Sequence, residues 1–341
     1  MNETINNKKT FSQIGLTLFV GTLIIFAVQY LFGKIASWVP FINQNGDLNF
    51  IFGMLPMYII AFPIIFYMFK RIPVIMATEQ KKMKLGHIIA AFFIAYAATL
   101  VCNLIGTLIT SVIGNLKGSE VENVLLTVTS SINPITTLFI VVICAPIMEE
   151  LLFRKALISR TAQYGEGMSI VLSGITFGLF HGNLNQFAYA FVLGIFFGFI
   201  YVKTKNIVYP IILHIIINFI GSFLGSIMLE KTRYMEYTAK VQELTLSGEI
   251  ANESAMADLL AEYGAGPTIF TIYSLALYAI AIVGVILFFK NKKKFTLQPG
   301  EITIEKGARF KTMIINLGMI LYCIFWIGMI ILQLFPVSFP A

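Results

Sequence analysis

The chain has 341 residues, of which 57% are hydrophobic and only 12% charged, with a formal net charge of +7 and a mean hydropathy of +0.83. Soluble domains carry about 25% charged residues, so a water-soluble fold with a single anchor is excluded. The positive charge is read as Lys and Arg retained in cytoplasmic loops, not as affinity for nucleic acid. Cys102, Cys144 and Cys323 all fall in apolar stretches, which argues against a disulfide framework and for small packing residues.

A helix needs about 20 apolar residues to cross the hydrocarbon core. In chain order the candidate spans are 14–36, 50–69, 87–113, 133–153, 168–182, 185–202, 207–229, 267–289 and 312–335. The first follows Lys8 and Lys9. It is too long for a signal-peptide core and lacks a small-residue cleavage site, so it reads as a retained span. The fifth is short and interrupted by Gly174, Gly178 and Gly182, a pattern tolerated where a helix lines a cavity and not lipid. The expected fold is all-α: a polytopic transmembrane bundle of eight to nine spans with a site in an intramembrane cavity.

Charge orients the map. With the N-terminus inside, 19 of the 24 basic residues fall on the inner side, among them Lys81, Lys82, Lys84, Lys203 and Lys292 to Lys294. Lys34, Lys117, Lys231, Arg233 and Lys240 are left outside. This asymmetry supports a cytoplasmic N-terminus and an external C-terminus; the location expected is a bacterial plasma membrane. The division expected is N-terminal helices over 1–125, a catalytic core over 126–229, a polar outer loop over 230–266 and C-terminal helices over 267–341. The loop reads either as a lid or as a solvated connection with a short amphipathic helix. The stretch 290–311 is a basic linker near anionic headgroups.

The chemistry concentrates in three places. Glu149 and Glu150 sit side by side at the end of an apolar run, followed by Arg154. A carboxylate in a bilayer costs on the order of 3 kcal/mol or more. Glu150 and Arg154 are four apart, on one helix face, and an intramembrane ion pair explains them without invoking chemistry. It does not explain Glu149, which points about 100° away. If Arg154 marks the cytoplasmic end of the span, Glu149 lies roughly 8 Å inside it. The second place is Phe177-Gly-Leu-Phe-His181, and the third is His214-Ile-Ile-Ile-Asn218, whose spacing sets imidazole and amide on one face.

A glutamate can serve as general base to a water. An imidazole can orient that water or protonate a leaving amine, and a second imidazole with an amide can donate to an oxyanion. Glu149, His181 and His214 would also make a zinc set with an open position, although no His-Glu-x-x-His helix is present. No Gly-x-Ser-x-Gly is present either, and Ser173-Gly174 has no matching scaffold. A proton or ion relay would call for polar residues on further spans and an inverted repeat, and neither is visible.

Taken together, Glu149-Glu150-x-x-x-Arg154, Phe177-x-x-x-His181 and His214-x-x-x-Asn218 resemble the three-part signature of the CPBP family. That family comprises intramembrane proteases, including type II CAAX prenyl proteases and bacteriocin-processing or self-immunity proteins. The match covers about 130–222, roughly a quarter of the chain. The resemblance implies an endopeptidase acting on a membrane-associated protein or peptide, with the lipid bilayer as its other partner. Glu149 would activate water with His181 assisting, and His214 and Asn218 would form the oxyanion site. Glu150, Arg154 and Phe177 would support them. No cofactor is expected, with zinc on Glu149, His181 and His214 as the alternative. A non-catalytic immunity or scaffold protein is the other alternative.

Overall fold

The computed structural model describes residues 2–74, 76 and 79–336, with side chains from Asn7 onward. All its regular elements are helical. In chain order the longer ones are α1 (Asn7–Trp38), α2 (Gly46–Phe69), α3 (Leu85–Lys117), α4 (Val124–Ser131), α5 (Pro134–Tyr164), α6 (Glu166–Phe180), α7 (Leu184–Thr204) and α8 (Val208–Thr232). Then come α9 (Tyr234–Ser247), α10 (Glu253–Tyr263), α11 (Gly266–Lys294) and α12 (Leu317–Leu334). Eight of these are long and apolar enough to cross a membrane, and α6 is a ninth, shorter apolar helix. The protein is a polytopic helical membrane bundle.

Local chemistry sets the helix ends. Asn133, Asn183 and Asn316 each accept a main-chain N–H of the following turn, relieving the orphan donors of α5, α7 and α12. Lys205 and Arg233 adopt positive φ and stop α7 and α8. The segment read as a polar outer loop is itself largely helical, as α9 and α10.

Packing centres on α6 and α7, which lie against each other, while α3 packs between α7 and α11 and α1 lies along α12. The α6–α7 approach is set by small residues. A Cβ on Gly194 would come 2.7 Å from Gly174 Cα, closer than side-chain atoms pack. Buried polar ties fix α6 on its other sides: Ser173 Oγ donates to Phe153 O of α5 at 2.9 Å, and Tyr322 Oη of α12 donates to Thr176 O at 2.7 Å. Ser173 thus spends its hydroxyl on a main-chain carbonyl.

At about 1.5 Å per residue, α6 is roughly 22 Å long, short of the ~30 Å hydrocarbon core. Its end therefore lies inside the bundle. The turn to α7 uses Gly182 at φ +63, where a Cβ would also strike the Trp326 ring at 2.9 Å. This recessed turn is the floor of a cavity, and His181 stands at its edge.

Candidate active site in the membrane-spanning core

The cavity holds about 380 Å³. Glu149 of α5, His181 at the end of α6, and His214 and Asn218 of α8 all line it, together with Phe177. Three elements thus converge on one space, and each reaches it for a local reason.

On α5 the two glutamates part company. Glu150 is fully buried, whereas the Glu149 side chain keeps 14% of its surface and faces the cavity. Glu150 Oε2 lies 3.0 Å from Arg154 Nε, the i,i+4 pair expected from spacing. Its other oxygen, Oε1, is 2.9 Å from His214 Nδ1. Arg154 is also fully buried, and its guanidinium lies 4.3 Å from the Phe177 ring centroid. The aromatic face offsets part of the missing hydration of the cation. Arg154 therefore does not mark the membrane face, and the expectation of Glu149 roughly 8 Å from that face is corrected. The helix runs ten residues further, to Tyr164, which puts Glu149 about 22 Å from that end. The ion pair with Glu150 and the faces of Phe177 and Phe197 are what permit Arg154 so deep.

His214 is held between acids. Nδ1 faces Glu150, and Nε2 is 3.8 Å from Glu149 Oε2. The rings of Phe177 and Phe197 flank it, with centroids 5.8 and 5.5 Å away. His181 Nδ1 is 2.9 Å from Phe177 O. A carbonyl only accepts, so Nδ1 carries the proton, and in the neutral ring Nε2 is left as an acceptor.

Asn218 Nδ2 donates to Val141 O at 3.0 Å. That carbonyl lies in the π-helical stretch Leu138–Cys144. With i to i+5 bonding its partner would be residue 146, which is Pro146 and has no N–H. The amide of Asn218 replaces that donor and keeps a second N–H. Further π-helical turns, Leu151–Ile158 and Phe219–Leu224, adjoin the site residues, a placement common at functional sites.

Tyr58, Gln29, Gln186 and Tyr189 also line the cavity. Sequence reasoning missed them. Each is an isolated polar residue in an apolar span, and only that mismatch marks it. Among the described residues no group of three His, Cys, Asp or Glu side chains is placed to hold a metal ion. Glu149, His181 and His214 share the cavity without forming a ligand set.

The fold and this site define a helical membrane protein with an acid–imidazole centre in its core. Residues 131–220 match the family described as type II CAAX prenyl endopeptidase Rce1-like. That match lies on the same residues as the CPBP resemblance read from the three motifs. It is 30% identical over 167 residues to the "Putative membrane peptidase YdiL" of Bacillus subtilis (strain 168), covering 47% of this chain and 63% of that protein. It is 27% identical over 207 residues to the "Membrane-embedded CAAX protease MroQ" of Staphylococcus aureus (strain USA300), covering 57% of this chain and 83% of that one. No solved structure matches the chain.

Proposed function

We propose that this protein is an intramembrane endopeptidase in which Glu149 activates a water against a peptide bond of a membrane-associated substrate. The observation that carries the reading is the cavity-facing carboxylate of Glu149, set 3.8 Å from His214 Nε2 in a space that His181 also lines. Glu149 takes a proton from water while His181 Nε2 accepts the water's other hydrogen. The hydroxide attacks the carbonyl carbon, and the electron pair moves to the carbonyl oxygen. Collapse breaks the C–N bond, and the proton held by Glu149 passes to the leaving amine.

The oxyanion needs donors. Asn218 has one free N–H after serving Val141. His214 donates through Nδ1 to Glu150, so it can offer a second N–H from Nε2 only as imidazolium. In this reading Arg154 pairs with Glu150, and Glu150 keeps His214 oriented. The placement of basic residues argues for a cytoplasmic N-terminus.

This mechanism uses no metal, and a chelator tests that. The deciding experiment incubates the purified protein and its Glu149→Gln variant with labelled membrane peptides, with and without chelator. Cleavage by the parent and none by the variant supports the proposal. Equal cleavage by both removes Glu149 from the role of base.

A further inference from the structure

The surroundings of the cavity differ toward the two ends of the bundle. Toward the basic loops it is plugged. Beneath Glu150 lie Leu152, Phe153, Arg154, Leu157, Phe177 and Phe197, none more than 1% exposed. The hollow on that side, lined by Lys155, Arg160 and Lys205, shares no residue with the cavity around Glu149. A peptide arriving from there would have to displace a buried ion pair and its aromatic cover.

In the other direction the space continues. The cavity shares Leu125, Gln186, Tyr189, Asn218 and Ser222 with a second space of about 320 Å³ between α3, α8 and α11. That space in turn shares Leu126, Thr129, Ser226 and Leu229 with a third of about 420 Å³, whose rim carries Arg233 and Glu236. The three lie in series along α8, from Asn218 to the start of α9. Over fifteen residues this is about 22 Å, room for an extended segment of roughly six residues.

The mouth lies at the end that holds the α3–α4 connection, α9 and α10, where basic residues are few and Glu230, Glu236, Glu243 and Glu262 are found. The plugged end carries the loops with Lys81, Lys82, Lys84, Lys203, Lys205 and Lys292 to Lys294. Positive loops stay in the cytoplasm. We propose that the site is entered from the extracytoplasmic face, and that its substrates are apolar polypeptide segments presented there, on exported or membrane-anchored chains. The word substrate rests on the peptidase reading; the direction of entry does not.

The test is accessibility of introduced cysteines to a membrane-impermeant maleimide, in right-side-out and inverted vesicles. Ser130→Cys reports the rim, Ser226→Cys the path and Lys293→Cys the basic loop, each read as label above the parent chain. The expected result is label on Ser130→Cys and Ser226→Cys in right-side-out vesicles only, and on Lys293→Cys in inverted vesicles only. Label on Ser226→Cys from inverted vesicles alone overturns the proposal. So does a Ser226→Cys labelled from neither side while Ser130→Cys is labelled from outside, because the path would then be shut. The exposed Ser130→Cys keeps the sidedness readable if Ser226→Cys fails to fold. Labelling requires no cleavage, so an outward-open chain that hydrolyses nothing would sink the peptidase reading and leave this one standing.

Discussion

His214 is clasped by two carboxylates, one at each ring nitrogen, and this clasp divides the labour between adjacent glutamates. Glu149 touches the cavity, so Glu149→Gln keeps the shape and removes the base. We expect turnover to fall on the order of 10²–10⁴-fold with an unchanged melting temperature in detergent; activity within tenfold of the parent would reassign the base. Arg154 belongs to the other side of the clasp. Arg154→Ala leaves Glu150 buried with His214 as its sole partner, and breaking such a pair costs about 3–5 kcal/mol. Thermal unfolding should show that loss, with partial recovery in the Arg154→Ala, Glu150→Gln double variant. A single variant as stable as the parent but inactive would make Arg154 a substrate contact instead.

Asn218 has two jobs to separate. Losing the bond to Val141 O leaves a carbonyl unpaired, at about 1–3 kcal/mol. Losing an oxyanion donor costs on the order of 10²–10³ in turnover. Asn218→Ala should show both, with kcat falling and KM nearly unchanged. A stability loss with kcat intact would leave Asn218 as a purely structural amide. The sequence made His214 and Asn218 neighbours by their spacing of four. It did not show that Val141 needs a donor, because that need arises from Pro146 and the π-helical turn together.

At the scale of elements, α6 decides where the chemistry sits. Its glycines were legible as an interruption of an apolar span, and that pattern pointed to a cavity. What they do there differs by position. Gly194 and Gly174 let α6 and α7 touch, while Gly182 turns the chain beneath Trp326. In Gly194→Ala the new methyl meets Gly174 main chain, which has no flexible side chain to yield. Overpacking of this kind costs about 1–3 kcal/mol, and it shifts His181 with its helix. We expect both melting temperature and turnover to drop. Gly53→Ala, which meets nothing within 4 Å, is the matched control. If the two variants behave alike, the α6–α7 contact is looser than the structure places it.

At the scale of the whole molecule, the zinc alternative predicts about one metal per chain and activity lost to a strong chelator and regained on zinc addition. The glutamate–water mechanism predicts chelator-insensitive turnover and no stoichiometric metal. We expect the second outcome, and stoichiometric zinc lost together with activity in His214→Ala would overturn it.

Apolar runs of span length and the asymmetry of Lys and Arg are properties of the chain alone. They specified a polytopic helical membrane protein before any contact was known, because the bilayer charges each residue independently for exposure. The i,i+4 spacings were likewise local, so the Glu150–Arg154 pair could be read from them. Whatever depends on two helices meeting could not. The bond from Glu150 to His214, the aromatic cover on Arg154 and the Tyr58 and Tyr189 lining join residues far apart in the chain, from 23 positions for Arg154 and Phe177 to 91 for Tyr58 and Glu149. No periodicity encodes such distances. The depth of Glu149 was misplaced for the same reason: Arg154 reads as a boundary charge in sequence, and only the packing of α5, α6 and α7 around it shows that it is interior. Spacing named the groups that could do chemistry, and tertiary packing decided which of them faces the cavity and which holds its neighbour in place.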